Sequence, residues 1–111
     1  MKRNEVVLDG RVLKRGALRY TPAGTPALDL RLGHRSVQAE AGSGCEARCE
    51  IDAVALGDMA LRLSALQIDR ALQVSGFLAQ RRIGARNLVL HVVSAEPLAT
   101  GGRTQDGMQG D

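Results

Sequence analysis

Apolar and polar residues alternate most cleanly over Ala27–Val37, where Leu28, Leu30 and Leu32 point one way and Asp29, Arg31 and Arg35 the other. Period-two alternation marks a strand with one wet face, and a helix would spread those leucines around its circumference. The same period predicts strands over Glu5–Leu13 (Val6, Leu8, Val12), Ala47–Leu56 (Cys49, Ile51, Ala53, Ala55), Ala71–Arg82 (Leu72, Val74, Leu78) and Asn87–Val93 (Leu88, Leu90, Val92). Gly10 inside the first strand points to a bend or a close backbone approach. Between the first two strands, "KRGALRYTPAGTPA" is broken by Gly16, Pro22, Gly24 and Pro26 and reads as a long hairpin loop. Between the third and fourth, "GDMALRLSALQID" predicts a short helix, with Asp58 as its cap. Periodicity alone thus predicts a small all-β domain of about five strands, whose exposed edges closure into a barrel would hide. Residues 99–111, "ATGGRTQDGMQGD" with its leading Ala99, are Gly-rich and polar and read as a flexible tail behind a domain spanning 1–98.

Composition narrows this picture. The chain has 111 residues, enough for one domain with a modest core. Aromatics make up only 2 %, Tyr20 and Phe77, so the core must be aliphatic. The net charge of +3 permits a polyanionic partner without requiring one. "MKRNEVVLDG" contains no long apolar run, so no signal peptide is expected, no segment is apolar enough to span a bilayer, and the expected compartment is the cytoplasm. Cys45 and Cys49, with His34 and His91, do not make a zinc-ligand pattern, and no metal or other cofactor is expected. Cys49 is expected to pack as a small apolar residue, and a disulfide has little support.

Candidate chemistry concentrates where strands end. "GHRSVQ" closes the second strand and runs into "AEAGSGCEARCE". No nucleophile, paired acid or phosphate-cradling loop accompanies His34, so a catalytic role has no support and an enzyme is not expected. His34 and Ser36 are expected to brace the turn into a mobile loop of small residues, with Arg35 reaching phosphate. Arg81, Arg82 and Arg86 cluster between the fourth and fifth strands, and Lys14, Arg15 and Arg19 flank the first loop. Each has a plain reading as solvated charge, and Arg31 and Arg35 can ion-pair with Asp29 on their shared face. Tyr20 reads equally as a loop anchor or a platform for a base, and Phe77 as packing.

Three pieces together, "LDGRVLKRGALRYTPAGTPALDLRLGHRS", "VQAEAG" with "CEARCEIDAVALG", and "LQVSGFLAQRR…NLVLHV", resemble the PriB family of replication restart proteins, relatives of single-stranded DNA-binding protein (SSB). "HRSVQ-x-E-A-G" is the most specific part. The resemblance covers roughly residues 4 to 98. It implies a five-stranded oligonucleotide-binding (OB) Greek-key barrel with the short helix between strands 3 and 4. It further implies a homodimer that binds single-stranded DNA and bridges the restart helicase PriA and the loader DnaT, without a small-molecule substrate or a membrane. The implied nucleic-acid-binding residues are Lys14, Arg19, Tyr20, Arg35, Arg48, Arg81, Arg82 and Arg86. Enteric members carry an aromatic after "EAG" and another before the cysteine; Ser43 and Arg48 stand there in this chain. Binding is therefore expected to be more electrostatic, with guanidinium groups neutralising phosphate and stacking in part. The alternatives are an SSB-type strand protector, disfavoured because "MQGD" carries no acidic, bulky-ended tip, and a protein-interaction module with weak nucleic-acid binding.

Overall fold

The computed structural model describes residues 1–98; the expected flexible tail lies outside the described residues. In chain order the elements are β1 (Val6–Arg15), β2 (Arg19–Tyr20), β3 (Pro26–Glu40), β4 (Ser43–Leu56), α1 (Asp58–Ser64), β5 (Ala71–Gln80) and β6 (Leu88–Pro97). The strands form one sheet in the order β1-β5-β6-β4-β3-β2, and an additional β1–β3 pairing closes it into a barrel. All pairings are antiparallel except β4 with β6.

Closure depends on β1 changing partner along its length. Val6–Arg11 pair with β5, whereas Arg11–Arg15 pair with β3, with a bulge between Val12 and Lys14. The switch requires backbones to approach closely, as Gly10 suggests: a Cβ there would lie 2.8 Å from the Gly33 carbonyl oxygen. A second close approach occurs where the β5–β6 register shifts between Ser75 and Gly76; a Cβ on Gly76 would lie 1.7 Å from the His91 carbonyl oxygen, so only glycine fits.

The interior is aliphatic. Val12, Leu28, Leu30, Leu32, Ala53, Ala55, Leu72, Val74, Leu90, Val92 and Ala95 converge from five strands, and Ala60 and Leu63 of α1 plug one end. Burying each of these leucines contributes about 1.5–3 kcal/mol. Asp58 does not cap α1: Gly57, at φ 68°, is the N-cap, no side chain completes the cap, and Asp58 lies in the first turn. At the other end Arg15 reaches from β1 to donate to the carbonyls of Leu63 (3.3 Å) and Leu66, placing a cation at the helix C-terminus.

The largest departure from the sequence expectation lies between Gln38 and Gly44. These residues form no mobile loop. β3 and β4 stay in register from Ala27↔Leu56 to Glu40↔Ser43, making a long hairpin arm that turns through Ala41 and Gly42. Both turn residues have positive φ, 52° and 81°, as a two-residue type I′ hairpin turn requires. The arm is exposed from Val37 to Glu46 on both faces, so it has no apolar alternation for a sequence reading to detect. Cys49 lies on its base and is exposed, not packed, as is Cys45. Four residues apart on one strand, their Cα atoms are separated by about 13 Å, well beyond disulfide reach within the chain.

Candidate nucleic-acid interface

Residues directly opposite in an antiparallel ladder share a face. The β3–β4 register therefore lines one face of the hairpin with Asp29 and Val54, Arg31 and Asp52, Gly33 and Glu50, Arg35 and Arg48, and Val37 and Glu46. Arg35 and Arg48 thus stand side by side at the base of the arm, and Glu46 bridges them: its Oε2 is 2.5 Å from Arg35 Nε and 3.1 Å from Arg48 Nη2. Hydrogen bonds from Arg48 and then Arg35 hold the Glu46 carboxyl below its ordinary range.

A second network continues toward the barrel. Arg31 pairs with Glu50 (2.8 Å) and Asp52 (2.6 Å), and these contacts, Glu50 first, raise its pKa further. Arg19 arrives from β2 to meet Asp29 (3.2 Å), and Arg81 arrives from the end of β5, 3.8 Å from both Asp29 and Asp52. Five arginines and four carboxylates are therefore interleaved along one surface. The surface is not purely cationic: the sequence reading allowed Arg31 and Arg35 to pair with Asp29, whereas the β3–β4 register gives them Glu50, Asp52 and Glu46 instead. These pairs are exposed, with side chains 36–71 % accessible, so they hold their partners weakly.

The structure brings Arg19, Arg35, Arg48 and Arg81 onto this surface together with Arg31. Lys14 joins them from β1, opposite Arg31 in the β1–β3 register. Arg82 and Arg86 extend it into the loop between β5 and β6, where both are exposed and have no carboxylate partner among the described residues. The loop is shaped by Gly84 at φ 84°, an Ala85 amide bond to the Arg82 carbonyl (3.0 Å) and a Gln80 side-chain bond to Ala85 (2.7 Å). Tyr20 does not join this face: it is exposed on β2, one position after Arg19, and alternation turns it to the other side.

One flat feature escaped the sequence reading. Phe77 and His91, opposite each other on β5 and β6, stack with centroids 4.7 Å apart and planes 6° from parallel. His91 is also in register with Val54, which ties the stack to the charged hairpin face. Phe77 remains 38 % exposed. The signal available in sequence was phase: both residues alternate out of step with the partly buried Leu78 and the buried Leu90 and Val92.

His34 is occupied structurally. Its Nδ1–H donates to the Asp9 carbonyl (2.6 Å), so its Nε2 accepts from Ser36 Oγ (2.7 Å), and Gln38 Nε2 donates to that same hydroxyl (2.7 Å). The relay ties β3 to β1 where their backbones are not paired. It braces a continuous strand rather than a turn.

A family model described as "Another single-strand binding protein family" matches residues 4–94. The replication restart protein PriB of Bordetella pertussis is 45 % identical over 96 residues, covering 86 % of this chain and 90 % of that protein. The chain belongs to the PriB family. PriB of Photorhabdus laumondii is 36 % identical over 104 residues, covering 91 % of this chain and 99 % of the relative. Among solved structures, PriB of Ralstonia solanacearum superimposes with a TM-score of 0.81 at 31 % identity, covering 88 % of this chain and all of that one. The single-stranded DNA-binding protein of Thermus aquaticus reaches a TM-score of 0.71 at 27 % identity, covering 91 % of this chain and 53 % of that one. The barrel is thus the OB fold that PriB and SSB share, and none of these relatives carries the name of an enzyme. No helix among the described residues is long and apolar enough to cross a membrane.

Proposed function

We propose that the chain is a non-enzymatic single-stranded DNA-binding accessory protein of the replication-restart primosome, working in the cytoplasm as a homodimer that bridges PriA, DNA and DnaT. The observation that carries this reading is the convergence of Arg19, Arg31, Arg35, Arg48 and Arg81 on one exposed surface that continues into Arg82 and Arg86, which have no carboxylate partner among the described residues. Single-strand binders combine a cationic track for the backbone with flat surfaces for bases, and the Phe77–His91 stack lies beside that track. The bound state exchanges weak ion pairs for phosphate contacts, so affinity falls steeply with salt.

The test is the triple variant Arg81→Ala, Arg82→Ala, Arg86→Ala, followed by fluorescence anisotropy on a labelled oligothymidine. A loss of about ten- to a hundredfold at 0.1 M salt, with a shallower salt dependence and an unchanged fold, is expected for lost phosphate contacts. Unchanged, salt-insensitive binding would overturn the assignment. The four interleaved carboxylates favour a second reading, an OB module that recognises proteins and binds nucleic acid weakly; wild-type protein that pulls down PriA or DnaT yet ignores oligothymidine would support it.

The homodimer rests on the free edge of β1. Val6–Gly10 pair only with β5, and beside that edge Val7 is 58 % and Val37 77 % exposed. An unpaired edge flanked by apolar side chains is a template for a second strand. Light scattering is expected to give twice the chain mass, and the mass of one chain at micromolar concentration would exclude it.

A further inference from the structure

Asn4 precedes the first strand, yet its side chain does a strand's work. Its Nδ2 donates to the Leu78 carbonyl (2.8 Å), and its Oδ1 accepts from the Leu78 amide (3.0 Å). One side-chain amide so satisfies both backbone groups of a β5 residue. The β1–β5 register, Val6↔Gly76 and onward, continues backward to set Asn4 opposite Leu78, in agreement with this contact. Lys2 and Arg3 precede Asn4 in the chain, ahead of the first paired residue Val6, and β5 runs on from Leu78 to its last residue, Gln80. The clip therefore ties the segment that carries two cations to β5 two residues before its end, beyond which Arg81 and Arg82 follow.

The distribution of counterions gives that placement its meaning. Arg19, Arg31, Arg35, Arg48 and Arg81 each contact a carboxylate, and Arg11 pairs with Asp69. Arg15 and Arg62 donate to backbone carbonyls. Among the described residues, the exposed cations with neither kind of partner are Lys2, Arg3, Lys14, Arg82 and Arg86. Four of these five belong to two segments joined through the clip: Lys2 and Arg3 directly before Asn4, and Arg82 and Arg86 in the loop after β5. Glu5 directly follows the clip and, like the two cations, lies outside the paired residues.

We propose that Lys2 and Arg3, tied to β5 by Asn4, extend the proposed binding surface past Arg82 and Arg86 and take further phosphates of single-stranded DNA there. The inference rests on the single-strand-binding reading above. Unlike the hairpin arginines, these cations need not leave a carboxylate before meeting phosphate, so they contribute their full counterion release.

The experiment uses the full chain, a fluorescein-labelled oligothymidine and a salt titration by anisotropy. Wild type is compared with Lys2→Ala/Arg3→Ala, Asn4→Ala and Arg11→Ala. The double variant is expected to bind roughly twentyfold more weakly at 0.1 M salt, with a log–log salt slope smaller by about 1.4, the value for two single-strand phosphate contacts. Asn4→Ala keeps both charges but unties them, and is expected to weaken binding in the same direction, by a few fold. Arg11→Ala removes a paired cation elsewhere and is expected to leave the slope unchanged. Wild-type binding with an unaltered slope in the double variant would overturn this site while leaving the broader reading intact. A slope lowered equally per charge by Arg11→Ala would reduce the effect to net charge and overturn it too. An Asn4→Ala variant indistinguishable from wild type would remove the clip from the proposal. No binding by wild type at any salt would sink the underlying reading itself.

Discussion

Glu46 is the residue on which the charged face turns. It accepts from Arg48 and Arg35 at once, and its carboxyl titrates below the ordinary range. With the folded-state pKa depressed, the bridge is present above the ordinary carboxylate pKa and is lost as pH falls through the lowered one. On the proposed function, it would therefore compete at neutral pH with phosphate for both arginines. Glu46→Gln is expected to tighten oligothymidine binding about three- to fivefold at pH 7 and to steepen its salt dependence, as one more guanidinium becomes available; anisotropy at two salt concentrations reads both. That competition could not be seen in sequence. Alternation placed Arg35 outward, but the identity of its neighbour depends on how far β4 slides along β3, and no single residue encodes that register. Arg31 shows the same limit: a pair with Asp29 on its own strand was in view, whereas its actual partners, Glu50 and Asp52, come from the strand beside it. The side on which Tyr20 projects was not readable for a different reason, since a two-residue strand is too short to carry a phase.

Elements were legible in proportion to how much core they cover. Leu28, Leu30 and Leu32, and Ala53 and Ala55, are fully or nearly buried, and their strands were found by period two. The outer half of the hairpin covers no core and was mistaken for a loop. β6 runs four residues past its expected end because Val93 and Ser94 are both exposed at the register shift before Ala95 is buried again, which breaks the alternation. At the arm's tip Ala41 holds a left-handed backbone, where a Cβ is unfavourable by about 1–2 kcal/mol. Asparagine tolerates that conformation, and Asn-Gly is the preferred pair for such a turn. Ala41→Asn is expected to stabilise the hairpin by a large part of that cost, roughly 1 kcal/mol, visible as slower amide exchange at Glu40 and Ser43. Unchanged exchange there would mean that the tip adds nothing to the arm's order.

At the scale of the molecule, period-two alternation made a small all-β domain readable, closure being the way such a chain hides its edges, while the OB arrangement of the strands came from the family resemblance. The same economy leaves a seam. Strands β4 and β6 join by three residue pairs only, Ala53↔Leu90, Val54↔His91 and Ala55↔Val92, in the parallel arrangement that is slightly less stable per pair. When the barrel breathes, it is expected to unzip there first, and hydrogen exchange at Val54 and Val92 should outpace that of Leu72 and Val74 on β5. A DNA strand running from Arg35 and Arg48 to the β5–β6 loop would cross this seam like a suture. Its ligand would then act as the barrel's missing stitches, slowing that local opening more than any other in the protein.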